Sequence, residues 1–194
     1  MVDLATRARW RRWLERFHAA STGVWLVIYK KGTGAGRLSL TEAVEEALCF
    51  GWIDSRTHAL DARRFKLFVC PRRSGSVWSK INKARVAKLT RSGRMAPAGL
   101  AKVRAARKDG SWSSLDHIDR MTVPPDLRAA LRANQEALRN FQAFSISSKR
   151  IILYWIQTAK RPETRARRIA ETVRLASHNI KAAHGRLRPD TAGD

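Results

Sequence analysis

The sequence predicts an α+β protein, a small antiparallel sheet of about three strands flanked by helices and followed by a helical C-terminal subdomain. Three observations carry the prediction. Short β-branched and aromatic runs alternate with helical periodicity between Trp10 and Gly110. A serine-bearing stretch ending in a double proline, SWSSLDHIDRMTVPP, then interrupts the chain. Beyond it, apolar residues recur only at helical spacing. This divides the chain into a core over 1–112, a linker over 113–125, a helical subdomain over 126–180 and a disordered tail over 181–194.

The first helix is read from Trp10, Trp13, Leu14 and Phe17, whose spacing of three and four puts them on one face among Arg7, Arg9, Arg11, Arg12 and Arg16. Such a basic amphipathic helix docks on a core or lies weakly on a membrane surface. VWLVIYK is a buried strand closed by the loop KGTGAG, which lacks the order of a phosphate-binding loop. SLTEAVEEALCFG is a helix opened by a Ser39–Glu42 capping box and stopped at Gly51. Its Glu42, Glu45 and Glu46 suit the positive end of the helix dipole, and a solvated face is expected for them.

Trp52 and Ile53, then Phe65, Leu67, Phe68 and Val69, mark two strands joined through ALDARR as an antiparallel hairpin, which Pro71 ends. Ser76 is expected to cap a helix through Val77, Trp78, Ile81 and Leu89 that stops at Gly93, and Pro97 opens another that stops at Gly110. After the linker, three helices are expected: one spanning Leu127 to Phe144, one containing Ile151 to Ile156, and one from Pro162 to Ala176.

The 194 residues carry 39 Lys and Arg against 16 Asp and Glu, a net charge of +23. The charge is uneven. No acid lies between Asp61 and Asp109, whereas the segment 63–108 holds fifteen cations from Arg63 to Lys108. Nucleic acid or a phosphate ligand is the partner this segment suits, since many phosphate contacts give affinity without base reading. No fold signature of sequence-specific recognition accompanies it.

No run of about 18 apolar residues is present, and the N-terminus lacks a secretory signal, so no transmembrane segment and a cytoplasmic location are expected. Cys49 and Cys70 have neither disulfide-framework nor zinc spacing, and the five histidines are scattered, so no metal or other cofactor is expected.

ALCFGWIDSR, then PRRSGSVWSKINKARVAKLTRSGRMAPAGLAKV, then Trp112 two residues after Asp109-Gly110, together resemble the bacterial YdeI or OmpD-associated family, the bacteriocin-protection proteins. The resemblance runs from about Trp13 to about Leu175. Its pattern falls on Leu48 to Asp54, on Pro71, Arg72 and Arg73, on Trp78, Ser79 and Asn82, and on Gly93, Met95, Pro97 and Gly99; Ser55 and Cys70 depart from it. The resemblance implies a link to survival against bacteriocins and cationic peptides, and no catalytic residues.

The hairpin would bring Trp52 and Asp54 to the end where Arg72, Arg73, Trp78 and Asn82 follow. Arginine forks grip phosphate or carboxylate, indole offers a stacking face, and the N-terminus of a Ser76 helix would add amide donors. Two readings stay open for these six residues: an anion-binding site, or architecture in which Asp54 pairs with Arg72 or Arg73 and Trp78 fills the core. A small-molecule enzyme using the cleft around Asp54, Arg72 and Trp78 is the alternative function. It would need a nucleophile or an acid/base pair, and Asp54 with His58, or Cys49 with a distant histidine, matches no known constellation.

Overall fold

The computed structural model describes residues 1–33 and 37–183, so part of the KGTGAG loop and most of the expected tail lie outside the described residues. The chain divides after Ser114 into two compact units, each with its own apolar core. The first unit contains α1 (Arg7–Phe17), β1 (Val24–Tyr29), α2 (Leu40–Cys49), β2 (Trp52–Ala59), β3 (Arg64–Pro71), α3 (Lys80–Arg91) and α4 (Pro97–Lys108).

The three strands form one antiparallel sheet in the order β1-β3-β2. Val24 pairs with Val69 and Tyr29 with Arg64 on one side of β3; Trp52 pairs with Pro71 and Ala59 with Phe65 on the other. A register shift between Asp54 and Thr57 bends β2. The outer edge of β1 is covered by Val2, whose amide donates to the Trp25 carbonyl at 2.8 Å and whose carbonyl accepts from Val27 at 3.0 Å.

Thr6 caps α1, which buries Trp10 and Leu14 and anchors the Trp10 indole on the Ala43 carbonyl at 3.0 Å. Phe17, the last member of the expected stripe, is exposed and packs on Trp13. The capping box of α2 forms as expected, with Ser39 accepting from the Glu42 amide and Glu42 reaching back to the Ser39 amide. Its acids depart from expectation. Glu45 and Glu46 are both buried, because α2 packs against α1, α3, α4 and β2 and has no solvated flank over its last two turns.

Gly99 makes the close approach of α4 to the end of α2 possible: a Cβ there would stand 2.2 Å from the Cys49 carbonyl oxygen. Gly51, at φ +74°, closes the turn from α2 into β2.

The start of α3 corrects the expectation at Ser76. The helix begins at Lys80 with Ser79 as its cap, accepting from the Asn82 amide at 3.3 Å, and Ser76 instead donates its hydroxyl to the Arg73 carbonyl at 2.7 Å. The physical reason is Arg72. Its guanidinium takes the carbonyls of Ser76 and Val77, the groups that would otherwise receive the first intrahelical bonds, and holds this segment out of the helix.

The second unit contains α5 (Asp116–Asp119), α6 (Pro125–Arg132), α7 (Gln135–Ala143), α8 (Ile146–Gln157) and α9 (Pro162–Ser177) around a core of Leu127, Leu131, Phe141, Ile152, Leu153 and Ile156. The expected helix from Leu127 to Phe144 is two helices. Asn134 ends the first and caps the second by accepting from the Ala137 amide at 2.9 Å, a local bond that competes with helix continuation. Within 113–125, α5 buries Ile118 in the second core. Ala182 and Ala183 are buried there as well, so the chain stays on the core past Lys181; residues 184–194 of the expected tail lie outside the described residues. Among the described residues no helix is long and apolar enough to cross a membrane.

Candidate functional site

The junction between β3 and α3 is built on Arg72. Its amide donates to the Gly51 carbonyl at 3.0 Å, fixing it beside the turn that starts β2, and its side chain turns inward until the residue is 2% exposed. The guanidinium lies 3.8 Å from the ring centroid of Trp78, itself 1% exposed, and Trp78 packs in turn on Trp112 at 5.0 Å between centroids. One Arg72 terminal nitrogen donates to the Val77 carbonyl at 2.9 Å and the Ser76 carbonyl at 3.4 Å.

The charge of Arg72 is under-compensated. Burial pulls it down to about 10, opposed only by the field of Asp54, and no carboxylate among the described residues forms an ion pair with it. Its Nε–H and the Trp78 indole N–H are both buried and meet no acceptor. Each would cost about 1–3 kcal/mol if left so.

Both residues line a cavity of about 40 Å³, together with Arg73, Lys102, Asp109 and Ser111. A water needs about 10–15 Å³ of such space, so the cavity takes two or three waters or the head of one anionic group. Asp109 is the one carboxylate among the lining residues. The Ser111 hydroxyl and the Ser111 and Gly75 amides hold its carboxyl below the usual range; the two amides donate to it at 2.9 and 3.2 Å.

Of the six residues singled out from the sequence, the fold brings Arg72, Arg73 and Trp78 to the cavity. Trp52 serves the core instead: its indole donates to the His18 carbonyl at 3.3 Å and stands edge-on to Trp13. Asp54 acts on Arg72 through its field, and Asn82 accepts from Arg85 at 3.0 Å. Neither lines the cavity. The amide donors of the serine corner are supplied in part to Asp109, and no helix N-terminus points there, because α3 starts at Lys80.

Lys102, Asp109 and Ser111 were not singled out from the sequence. An Asp with a Ser two residues on is the local mark of a side-chain-to-backbone turn, and Trp112 after it was the nearest signal.

A second charged cluster lies in the same unit. Glu46, 0% exposed, takes Arg7 at 2.7 Å, Arg11 at 2.9 Å and Arg94, while Glu45 takes Arg7 at 2.9 Å and Lys88 at 3.3 Å. Burial raises the Glu46 carboxyl, and the three arginine hydrogen bonds outweigh it, so the group sits below its ordinary value. The acid-free segment is thus partly neutralised from α2. Burial pushes the neighbouring Cys49 thiol up to about 11, which leaves it protonated at neutral pH and unsuited to nucleophilic attack. Among the described residues no group of three or more His, Cys, Asp and Glu could hold a metal.

Residues 2–102 match the model of a domain of unknown function, DUF8412, and residues 120–179 match that of the bacteriocin-protection, YdeI or OmpD-associated family. The motifs from Leu48 to Gly99 therefore fall in the first match and the C-terminal helices in the second. Neither a curated protein nor a solved structure matches the chain.

Proposed function

We propose, for a chain that belongs to the bacteriocin-protection, YdeI or OmpD-associated family through its C-terminal helices and to the DUF8412 family through its first half, that it is a cytoplasmic, non-enzymatic binder of an anionic group. The observation that carries the reading is the buried, under-compensated Arg72, which lines one small cavity with Trp78 and whose Nε–H, like the Trp78 indole N–H, meets no acceptor. One oxyanion would satisfy both donors and supply the missing countercharge.

The size of the cavity favours inorganic phosphate, a carboxylate or the terminal phosphate of a larger ligand over a buried nucleotide. Nucleic acid is the second reading, favoured by the acid-free segment 63–108, whose exposed Lys80, Arg91, Arg104, Arg107 and Lys108 suit backbone phosphates. The family's description names protection against bacteriocins. A chain of charge +23 repels a cationic peptide, so any such protection runs through the anionic partner.

Titration calorimetry with phosphate, sulfate, acetate and single-stranded RNA across a salt series tests this. Trp78→Phe keeps the ring and removes one donor; Arg72→Lys keeps the charge and removes the fork. Each is expected to weaken phosphate or carboxylate binding at least fivefold at physiological salt, about the worth of one hydrogen bond. Binding to RNA alone, with a salt slope unaltered by either substitution, moves the function to the surface of the basic segment. No binding of any of these probes by the wild type overturns the reading.

A further inference from the structure

A larger cavity lies wholly in the second unit, between the turn after α5, the faces of α6 and α7, and the start of α8. Its volume is about 630 Å³, within the range of pockets that hold compact organic ligands. The floor is apolar, made by Leu131, Leu138, Phe141 and Leu153, and Ile146 stands at the mouth 62% exposed. The rim is cationic: Arg120, Arg128, Arg132 and Lys149, with no carboxylate among the lining residues. Arg128 and Lys149 are fixed in place by main-chain carbonyls, Val123 at 3.0 Å and Gln142 at 2.6 Å, rather than by acids. Met121 at the same rim is held at φ +57°, a conformation uncommon for a residue with a side chain.

We infer that this cavity binds a single-chain anionic amphiphile, a long-chain carboxylate whose alkyl chain lies on the Leu131–Phe141–Leu153 floor and whose head meets the four rim cations. A purely apolar ligand would leave the rim unused, and a small polar anion would leave the floor wet. Polar groups able to read a base or a sugar are confined to Thr122 and Gln142. The inference is independent of the Arg72 site, which belongs to the other unit.

The test is calorimetric titration of the full chain with hexanoate, octanoate, decanoate and laurate below their micellar concentrations, beside dodecyltrimethylammonium and dodecyl maltoside. One site is expected, tightening about fourfold per methylene while the chain still finds apolar floor. The cationic amphiphile should bind at least tenfold more weakly than laurate.

Ile146→Asp puts a carboxylate at the mouth. The residue is exposed in the first turn of α8, where an acid suits the helix dipole, so the fold is retained while laurate affinity falls at least tenfold. Arg120→Ser with Arg132→Ser should weaken laurate and spare dodecyl maltoside. Many weak laurate sites, no dependence on chain length, equal affinity for the cationic amphiphile, or an unchanged isotherm in Ile146→Asp each overturn the inference. So does binding to anionic vesicles or to an acidic amphipathic peptide without binding of monomeric laurate.

Discussion

Two buried ionic residues of opposite sign are treated in opposite ways. Glu46 is over-provided, with three arginines on one carboxylate, whereas Arg72 has two carbonyls, an indole face and a distant field. For Glu46 this makes stability depend on charge. Glu46→Gln leaves three crowded cations without their counterion, and is expected to cost about 3–5 kcal/mol in chemical denaturation. Because the folded carboxyl sits below its ordinary value, the stabilisation is fully present above the unfolded glutamate value of about 4.3 and is lost as pH falls through the folded one. A pH series of melting temperatures should therefore show a shallower acid limb in Glu46→Gln than in the wild type. The sequence showed Glu46 only as an acid in a helix; its partners, Arg7 and Arg94, lie 39 and 48 residues away, beyond what local pattern reveals.

At the scale of elements, the strands, the cap at Ser39 and the helix starts at Pro97 and Pro162 were legible because period, capping chemistry and the fixed proline φ are local. The start of α3 was not, since a side chain arriving from β3 took the carbonyls that Ser76 would have handed to the helix. The break at Asn134 was missed for another reason: Leu131, Leu138 and Phe141 keep helical spacing across it, and the cap is a single residue. The same contrast held at the site, where three of six residues converge and the others serve strand or helix neighbours. The packing of α4 on α2 hangs on a missing side chain. Gly99→Ala forces a methyl against the Cys49 carbonyl and is expected to lower stability by about 1–3 kcal/mol. Differential scanning calorimetry checks it, and an unchanged melting temperature would show that the two helices can separate freely.

At the scale of the whole molecule, the division after Ser114 separates two apolar clusters with no shared member. The fragment 1–114 keeps its sheet, its four helices and both charged clusters. It is expected to unfold cooperatively by itself and to give a dispersed amide spectrum; a collapsed spectrum would mean that its core is completed by the C-terminal helices. The positive charge, diffuse in the sequence, becomes local once folded: α2 spends its buried acids on Arg7, Arg11, Lys88 and Arg94, while Lys80, Arg91, Arg104, Arg107 and Lys108 of α3 and α4 stay exposed.

The strand order carries a consequence for synthesis. β1 and β2 never touch as partners; the only strand either pairs with is β3, the last of the three to leave the ribosome. A nascent chain that ends before Arg64 has two strands and no ladder, so neither can be retained by the other while translation proceeds. The sheet cannot begin to form until the middle strand arrives after both its edges, and until then β1 has only the short bridge from Val2 to hold its exposed backbone groups.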